Sequence, residues 1–246
     1  MKHVVMLGAT SGIARVLAVE FARRGYGLVL AARELEEAQA LASDLRLRHG
    51  ATAHALAFDA HAHQTHARFW EESCKAAGGE VGGAVVCFGY LGDQQLAEKD
   101  FGEARRILDT NFTDAVSILE VAAGWFESRR SGFICVLSSV AGDRGRASKS
   151  MYGAAKAGLS TYLEGLRQRL FRSGVSVTTV KPGTIDTQMT YGQSDVPLVS
   201  RPERIARPIV RAALKGRAVA YVPGFWRWIM LVVRCIPDFI FRRMRI

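Results

Sequence analysis

Tyr152 and Lys156 stand four residues apart in Tyr-Gly-Ala-Ala-Lys. On a helix that spacing places both side chains on one face. An ammonium beside a phenol favours the phenolate, so the pair predicts a tyrosine pKa drawn down from about 10 toward working pH. A phenol tuned in this way can pass a proton to or from a substrate oxygen. The same pattern alone also describes a surface tyrosine and a solvated lysine. What favours the chemical reading lies upstream: Ser139, thirteen residues before the tyrosine, and Asn111, forty-one before it.

The elements that must position these residues alternate along the first 180 positions. Apolar runs at His3–Leu7, Gly27–Ala32, Thr52–Phe58, Gly83–Phe88, Phe133–Ser138 and Ser176–Val180 read as strands. None alternates cleanly, as expected for a parallel sheet covered on both faces. Helical patterns fill the gaps at 13–24, 34–49, 63–77, 103–129 and 151–172. Strand–helix alternation of this length predicts right-handed βαβ units. The predicted fold is α/β, a Rossmann-type doubly wound parallel sheet in a three-layer αβα sandwich, forming a single domain. That domain is expected over 1–222, with a basic aromatic appendage at 223–246.

The first strand runs straight into Gly8-Ala9-Thr10-Ser11-Gly12-Ile13-Ala14, and a helical pattern follows. Glycines here allow a tight turn and close backbone approach to a pyrophosphate at the helix N-terminus. The segment predicts a dinucleotide site made by Gly8, Thr10, Ser11, Gly12 and Ile13. At the end of the second strand Arg33 stands where an acid would hold the ribose hydroxyl of NAD. An arginine there suits a 2′-phosphate, so NADP(H) is favoured over NAD(H), although Glu34 follows it. Asp59, after the third strand, suits the adenine amino group or the cap of the next helix. His54, His61, His63 and His66 lack supporting carboxylate or cysteine spacing and read as solvated side chains, so no metal site is expected.

The four cysteines show no C-x-x-C spacing, which predicts free thiols and a reducing compartment. No signal peptide is read at the N-terminus, so a cytoplasmic location is expected. The net charge of +10 is uneven. Residues 1–200 hold 22 Lys/Arg against 21 Asp/Glu, whereas 201–246 hold 11 against 2. After Tyr221-Val222-Pro223 the chain is bulky and basic, with Trp226, Trp228, Arg227, Arg234, Arg242, Arg243 and Arg245. Its apolar run is too short to span a bilayer, which takes about 20 residues. Tryptophans and arginines together suit an anionic membrane surface, reached peripherally from the cytoplasmic side; packing on the core or on a partner subunit is the other reading. Bulky aliphatics between the basic residues argue against nucleic acid. Between Ser139 and Tyr152, Arg144, Arg146 and Lys149 either meet an anionic substrate group or form a solvated loop.

Taken together, Gly8-x-x-x-Gly12-Ile13-Ala14, Asp59, Asn111, Ser138-Ser139-x-Ala141-Gly142, Tyr152-x-x-x-Lys156 and Pro182-Gly183-x-x-x-Thr187 resemble the short-chain dehydrogenase/reductase family over about residues 1–190. The resemblance implies hydride transfer between a nicotinamide and a ketone or secondary alcohol. It makes Tyr152 the general acid/base and gives Ser139 the substrate oxygen. Lys156 would bind the nicotinamide ribose and tune Tyr152, and Asn111 would hold a relay water. Gly89, Pro182, Gly183 and Thr187 join the cofactor set, and homo-oligomerisation through the long helices is implied. Cys87-Phe88-Gly89 departs from the family's Asn-Ala-Gly after the fourth strand, which puts a structural hydrogen bond in doubt. The tail, with Ser139–Arg146 and Asp109–Thr113, resembles the branch whose reductase acts on decaprenylphosphoryl-2-keto-erythro-pentose. That likeness implies a lipid-phosphate-linked sugar as substrate. A dinucleotide-sensing binding protein is the alternative, and the complete Asn111, Ser139, Tyr152 and Lys156 set argues against it.

Overall fold

The computed structural model describes residues 1–191 and 198–244, so Arg245 of the expected basic tail lies outside the described residues. Strands β1 (His3–Leu7), β2 (Gly27–Ala32), β3 (Ala53–Ala57), β4 (Val81–Val86), β5 (Phe133–Leu137), β6 (Ser176–Pro182) and β7 (Val219–Val222) form one sheet. Their order is β3-β2-β1-β4-β5-β6-β7, and every pairing is parallel. The helices are α1 (Gly12–Ala22), α2 (Leu35–His49), α3 (His66–Ala76), α4 (Gln94–Ala97), α5 (Phe101–Leu108), α6 (Asp114–Arg129), α7 (Ser150–Phe171), α8 (Pro202–Leu214), α9 (Trp226–Cys235) and α10 (Asp238–Phe241).

The pleat explains the unbroken apolar strands. In β1, Val4 and Met6 enter a core with α1, α2 and α8, whereas Val5 and Leu7 enter another with α3, α6 and α7. Both faces are dry, so no polar alternation is needed. The chain thus folds as the expected doubly wound αβα sandwich. Strand order reverses between β1 and β4, and ligands of such sheets bind where the carboxyl ends of those strands diverge. Gly8 and Cys87 follow those two ends.

Three local outcomes differ from the sequence pattern. The strand β7 and helix α8 lie beyond the segment where the alternation was read, and they extend the sheet past β6. The continuous helix expected over 103–129 is split. Between α5 and α6, Asp109–Thr113 winds as a π turn. There Asn111 donates from Nδ2 to the Ile107 carbonyl at 2.8 Å, and such widened turns often mark functional positions. The helix expected over 63–77 begins as a short 3-10 turn, His63–Thr65. Among the described residues, no helix is long and apolar enough to cross a membrane.

Candidate active site

A cleft of about 860 Å³ opens at the β1/β4 switch point. Gly8, Thr10, Ser11, Gly12, Ile13, Arg33, Asp59, Gly89 and Thr187, all expected cofactor residues, line it. Two glycines make the approach close. Gly8 has φ +77°, and a Cβ there would lie 2.6 Å from the Phe88 nitrogen. A Cβ on Gly12 would meet Thr187 Cγ2 at 3.2 Å, so α1 and the segment after β6 face each other across the cleft. Ser11 caps α1 by accepting from the Ala14 amide at 3.3 Å. The amides of this first turn give the cleft the positive end of a helix dipole, which suits a phosphate. A backbone cradle of this size, walled by glycine, fits a dinucleotide.

At the far edge Arg33 is 63% exposed, and it makes a loose 3.9 Å approach to Glu34. Glu37, which shares this edge, is taken by Arg15 at 2.7 Å. Asp59 accepts from the His61 amide at 3.0 Å, as a turn-capping carboxylate does. The histidines are not simply solvated. His61 Nδ1 and His63 Nε2 approach the two oxygens of the buried Asp114 at 2.8 and 2.6 Å. His66 is buried, with Nδ1 2.9 Å from the Ser117 hydroxyl. Burial lowers its pKa. Asp114 was not singled out in the sequence, because only α6 packing on α3 brings it under a loop 51 residues earlier. Among the described residues no group of three or more His, Cys, Asp or Glu is placed to hold a metal ion.

Gly89 joins the cleft to the inner residues. A Cβ there would lie 2.8 Å from Asn111 Oδ1 and 3.5 Å from Lys156 Nζ. Asn111 is locked: Oδ1 accepts from the Tyr90 amide at 3.2 Å, while Nδ2 donates to the Tyr90 and Ile107 carbonyls. Lys156, buried on α7, donates to the Leu137 carbonyl at 3.1 Å and lies 5.7 Å from the centre of the Tyr152 ring. The Ser139 hydroxyl favours the ionised form of the Tyr152 phenol and accepts from the Ala141 amide at 3.0 Å. Asn111, Ser139, Tyr152 and Lys156 therefore converge, although they come from a π turn, a strand end and a helix.

The convergence depends on residues that carry no chemistry. A Cβ on Gly142 would stand 2.7 Å from the Ala157 nitrogen, and one on Gly153 would stand 2.9 Å from the Ala141 oxygen. The turn after Ser139 thus sits directly on the α7 backbone, which sets Ser139 against Tyr152. Ser138 and Ser160 both donate to the Lys156 carbonyl, at 3.0 and 2.8 Å, and fix that turn of the helix. Sequence reading missed Ser160, which stands one helical turn after Lys156 on the same face.

Two expectations change. The Tyr152 pKa is not drawn down: burial pushes it up to about 12, only partly opposed by the Ser139 hydroxyl. Burial also brings the Lys156 ammonium down, to about 8. Desolvation penalises the charged form of each group in one dry site. Second, Arg144 turns away from the cleft. Its Nη1 donates to the carbonyls of Val233 and Ile236 at 2.6 Å each and of Arg234 at 3.3 Å, and its guanidinium lies 3.8 Å from the centre of the Phe241 ring. It satisfies the orphan carbonyls at the C-terminal end of α9. Pro182 and Gly183 stand just outside the residues that line the cleft, as Ser139, Tyr152 and Lys156 do. Pro182 pairs with Val222, and a Cβ on Gly183 would collide with the Trp226 indole.

The short chain dehydrogenase family pattern matches residues 2–196. An uncharacterized oxidoreductase of Mycobacterium tuberculosis is 36% identical over 241 residues, covering 98% of this chain and 96% of that protein. The 11-beta-hydroxysteroid dehydrogenase A of Sesamum indicum is 30% identical, covering 99% of this chain and 75% of its own length. Among solved structures, a short-chain dehydrogenase from Sphingobium yanoikuyae in complex with NADPH superposes with a TM-score of 0.83 at 25% identity, over all of this chain and 97% of that one.

Proposed function

This chain belongs to the short-chain dehydrogenase family and is an NAD(P)-dependent oxidoreductase of CH–OH and C=O groups; on that premise we propose that Tyr152 is its general acid/base, acting on a ketone with NADPH. The observation that carries the reading is the convergence of Ser139 and the buried Lys156 on Tyr152. Gly8, Thr10, Ser11, Gly12, Ile13, Asp59, Gly89 and Thr187 would hold the dinucleotide, with Lys156 at its nicotinamide ribose and Arg33 at the 2′-phosphate. The nicotinamide, when bound, supplies or accepts the hydride.

The protein's own contribution is proton control. A phenol with a pKa near 12 stays protonated at neutral pH, which suits donation to a ketone oxygen. As negative charge grows on that oxygen, the Ser139 hydroxyl donates a second hydrogen bond to it. Lys156 is cationic below its pKa of about 8 and favours the phenolate left behind. Asn111, with both amide ends occupied by backbone, holds the π turn open next to Gly89 and would seat a relay water there. A dinucleotide sensor is not favoured, since it would need neither the aligned Ser139 nor the desolvated Lys156.

Preference for NADP is supported by the exposed and loosely paired Arg33, and by a structural neighbour that carries NADPH. A lipid-phosphate-linked sugar is the substrate we favour within this activity. Arg146 and Lys149 stay on the loop between Ser139 and α7, and the likeness to the decaprenylphosphoryl-2-keto-erythro-pentose reductase branch points the same way. Homo-oligomerisation is supported by Phe101 and Phe171, both largely exposed on α5 and α7.

The test is a cofactor-oxidation assay on a lipid-phosphate-linked ketose and on the free ketose. Tyr152→Phe should keep NADPH affinity and lose about 10²–10⁴-fold in kcat. Turnover near that of the parent would refute the mechanism, and equal kcat/KM for the two ketoses would remove the lipid-linked substrate. In the same assay Arg33→Ala should raise KM for NADPH and leave NADH unchanged; an unaltered preference would exclude Arg33.

A further inference from the structure

Helix α9 carries apolar side chains on two faces. Trp226, Ile229, Met230 and Val233, at i, i+3, i+4 and i+7, pack with Val140 and Tyr221. Trp228, Leu231, Val232 and Cys235 repeat that spacing two positions later, and all four are exposed. Trp228 and Val232 are each 64% exposed. Helix α10 extends this outer surface with Phe239 and Ile240, and Met244 follows. Packing explains the inner face alone, and an exposed apolar surface of this extent marks an interaction site.

Its charge selects the occupant. Arg227, Arg234, Arg242 and Arg243 are exposed around the apolar side chains, and Asp238 is the one acid among described residues after Gly224. We infer that the outer face of α9–α10 docks on an anionic lipid surface, lying in the interface and not crossing it. At ten residues α9 is about half the length that spans a bilayer. An apolar face with an indole and a rim of arginines matches the acyl–headgroup boundary. A second copy of this chain would meet the same patch across a two-fold axis and set arginine against arginine.

Docking there bears on the active site. The inner face of α9 seats Trp226 over Gly183, and Arg144 ties the end of α9 to the loop between Ser139 and Tyr152. A tail held at a bilayer would hold that loop beside it. The inference does not rest on the substrate proposed above, and its test reads binding, not turnover.

The full chain would be co-sedimented with vesicles of phosphatidylcholine and of phosphatidylcholine mixed with phosphatidylglycerol. Pelleting with the anionic vesicles alone, weakened by salt, is expected. Arg242→Gln and Arg243→Gln should each weaken partition about fivefold. The triple variant Trp228→Ser, Leu231→Ser, Val232→Ser, which leaves the inner face intact, should abolish it. Undiminished NADPH affinity in each variant would show that the fold is kept. The inference is overturned if the parent stays in the supernatant, or if the triple variant pellets as the parent does. It is overturned too if that variant instead dissociates an oligomer in sedimentation velocity, which would make the face a subunit contact.

Discussion

Lys156 and Lys181 are both buried, at 3% and 9% exposure, yet their surroundings are opposite. Lys181, on β6, meets Asp143 at 2.5 Å, and the other oxygen of that carboxylate accepts from the Tyr221 hydroxyl at 2.7 Å. Among the described residues no carboxylate meets Lys156, on α7; its ammonium faces the Leu137 carbonyl, and burial lowers its pKa to about 8. One region compensates its buried charge and joins the loop after Ser139 to the last two strands. The other leaves its charge poorly compensated. A cation held without an anion costs stability and remains available to a developing negative charge, as expected where function and stability pull apart.

Removing each group in turn tests that contrast. Asp143→Ala should be the most damaging to folding, since it strands the Lys181 ammonium in a dry site. A loss of about 3–5 kcal/mol in a denaturant titration is expected. A loss under about 1 kcal/mol would mean that Lys181 reaches water and that the two sites are alike. Lys156→Met should do the reverse, stabilising the free protein while turnover is lost. With the pKa lowered from 10.5 to about 8, the charged lysine costs the fold about 3 kcal/mol at pH 7. The unfolded chain binds more protons between those two values, so the stability of the parent rises across that interval. The advantage of Lys156→Met should therefore be full below about pH 8 and shrink as pH climbs toward 10. An advantage independent of pH would show that packing, not charge, is responsible. The smallest effect belongs to Tyr221→Phe, which removes one hydrogen bond to Asp143 and leaves the ion pair. It should cost about 1.5 kcal/mol and leave turnover intact.

The cofactor end was legible because its instructions are local. Gly8 and Gly12 act through their own backbone and the helix that follows them. The six strands read from apolar runs recur with ends shifted by up to two residues, and all but the edge strand β3 are buried along nearly their whole length. The π turn at Asn111 was not legible, since an apolar pattern spanning 103–129 fits a straight helix equally well. Helix α9 was legible as bulky and basic, but not as a helix with one face packed and one face open. That division required knowing where Val140 and Tyr221 would stand.

The sequence by itself determined the βαβ order, the switch-point turn and the shared helix face of Tyr152 and Lys156, because each rests on contacts within a helical turn or a strand. Tertiary structure alone decided what surrounds them. It gave Arg144 to the carbonyls of a helix about ninety residues away, and Gly183 to the Trp226 ring. It also reversed the expected effect on Tyr152. An ammonium attracts a phenolate four residues away in any medium. The sign of the net pKa shift is set by how much water the fold removes, and no spacing along the chain encodes that.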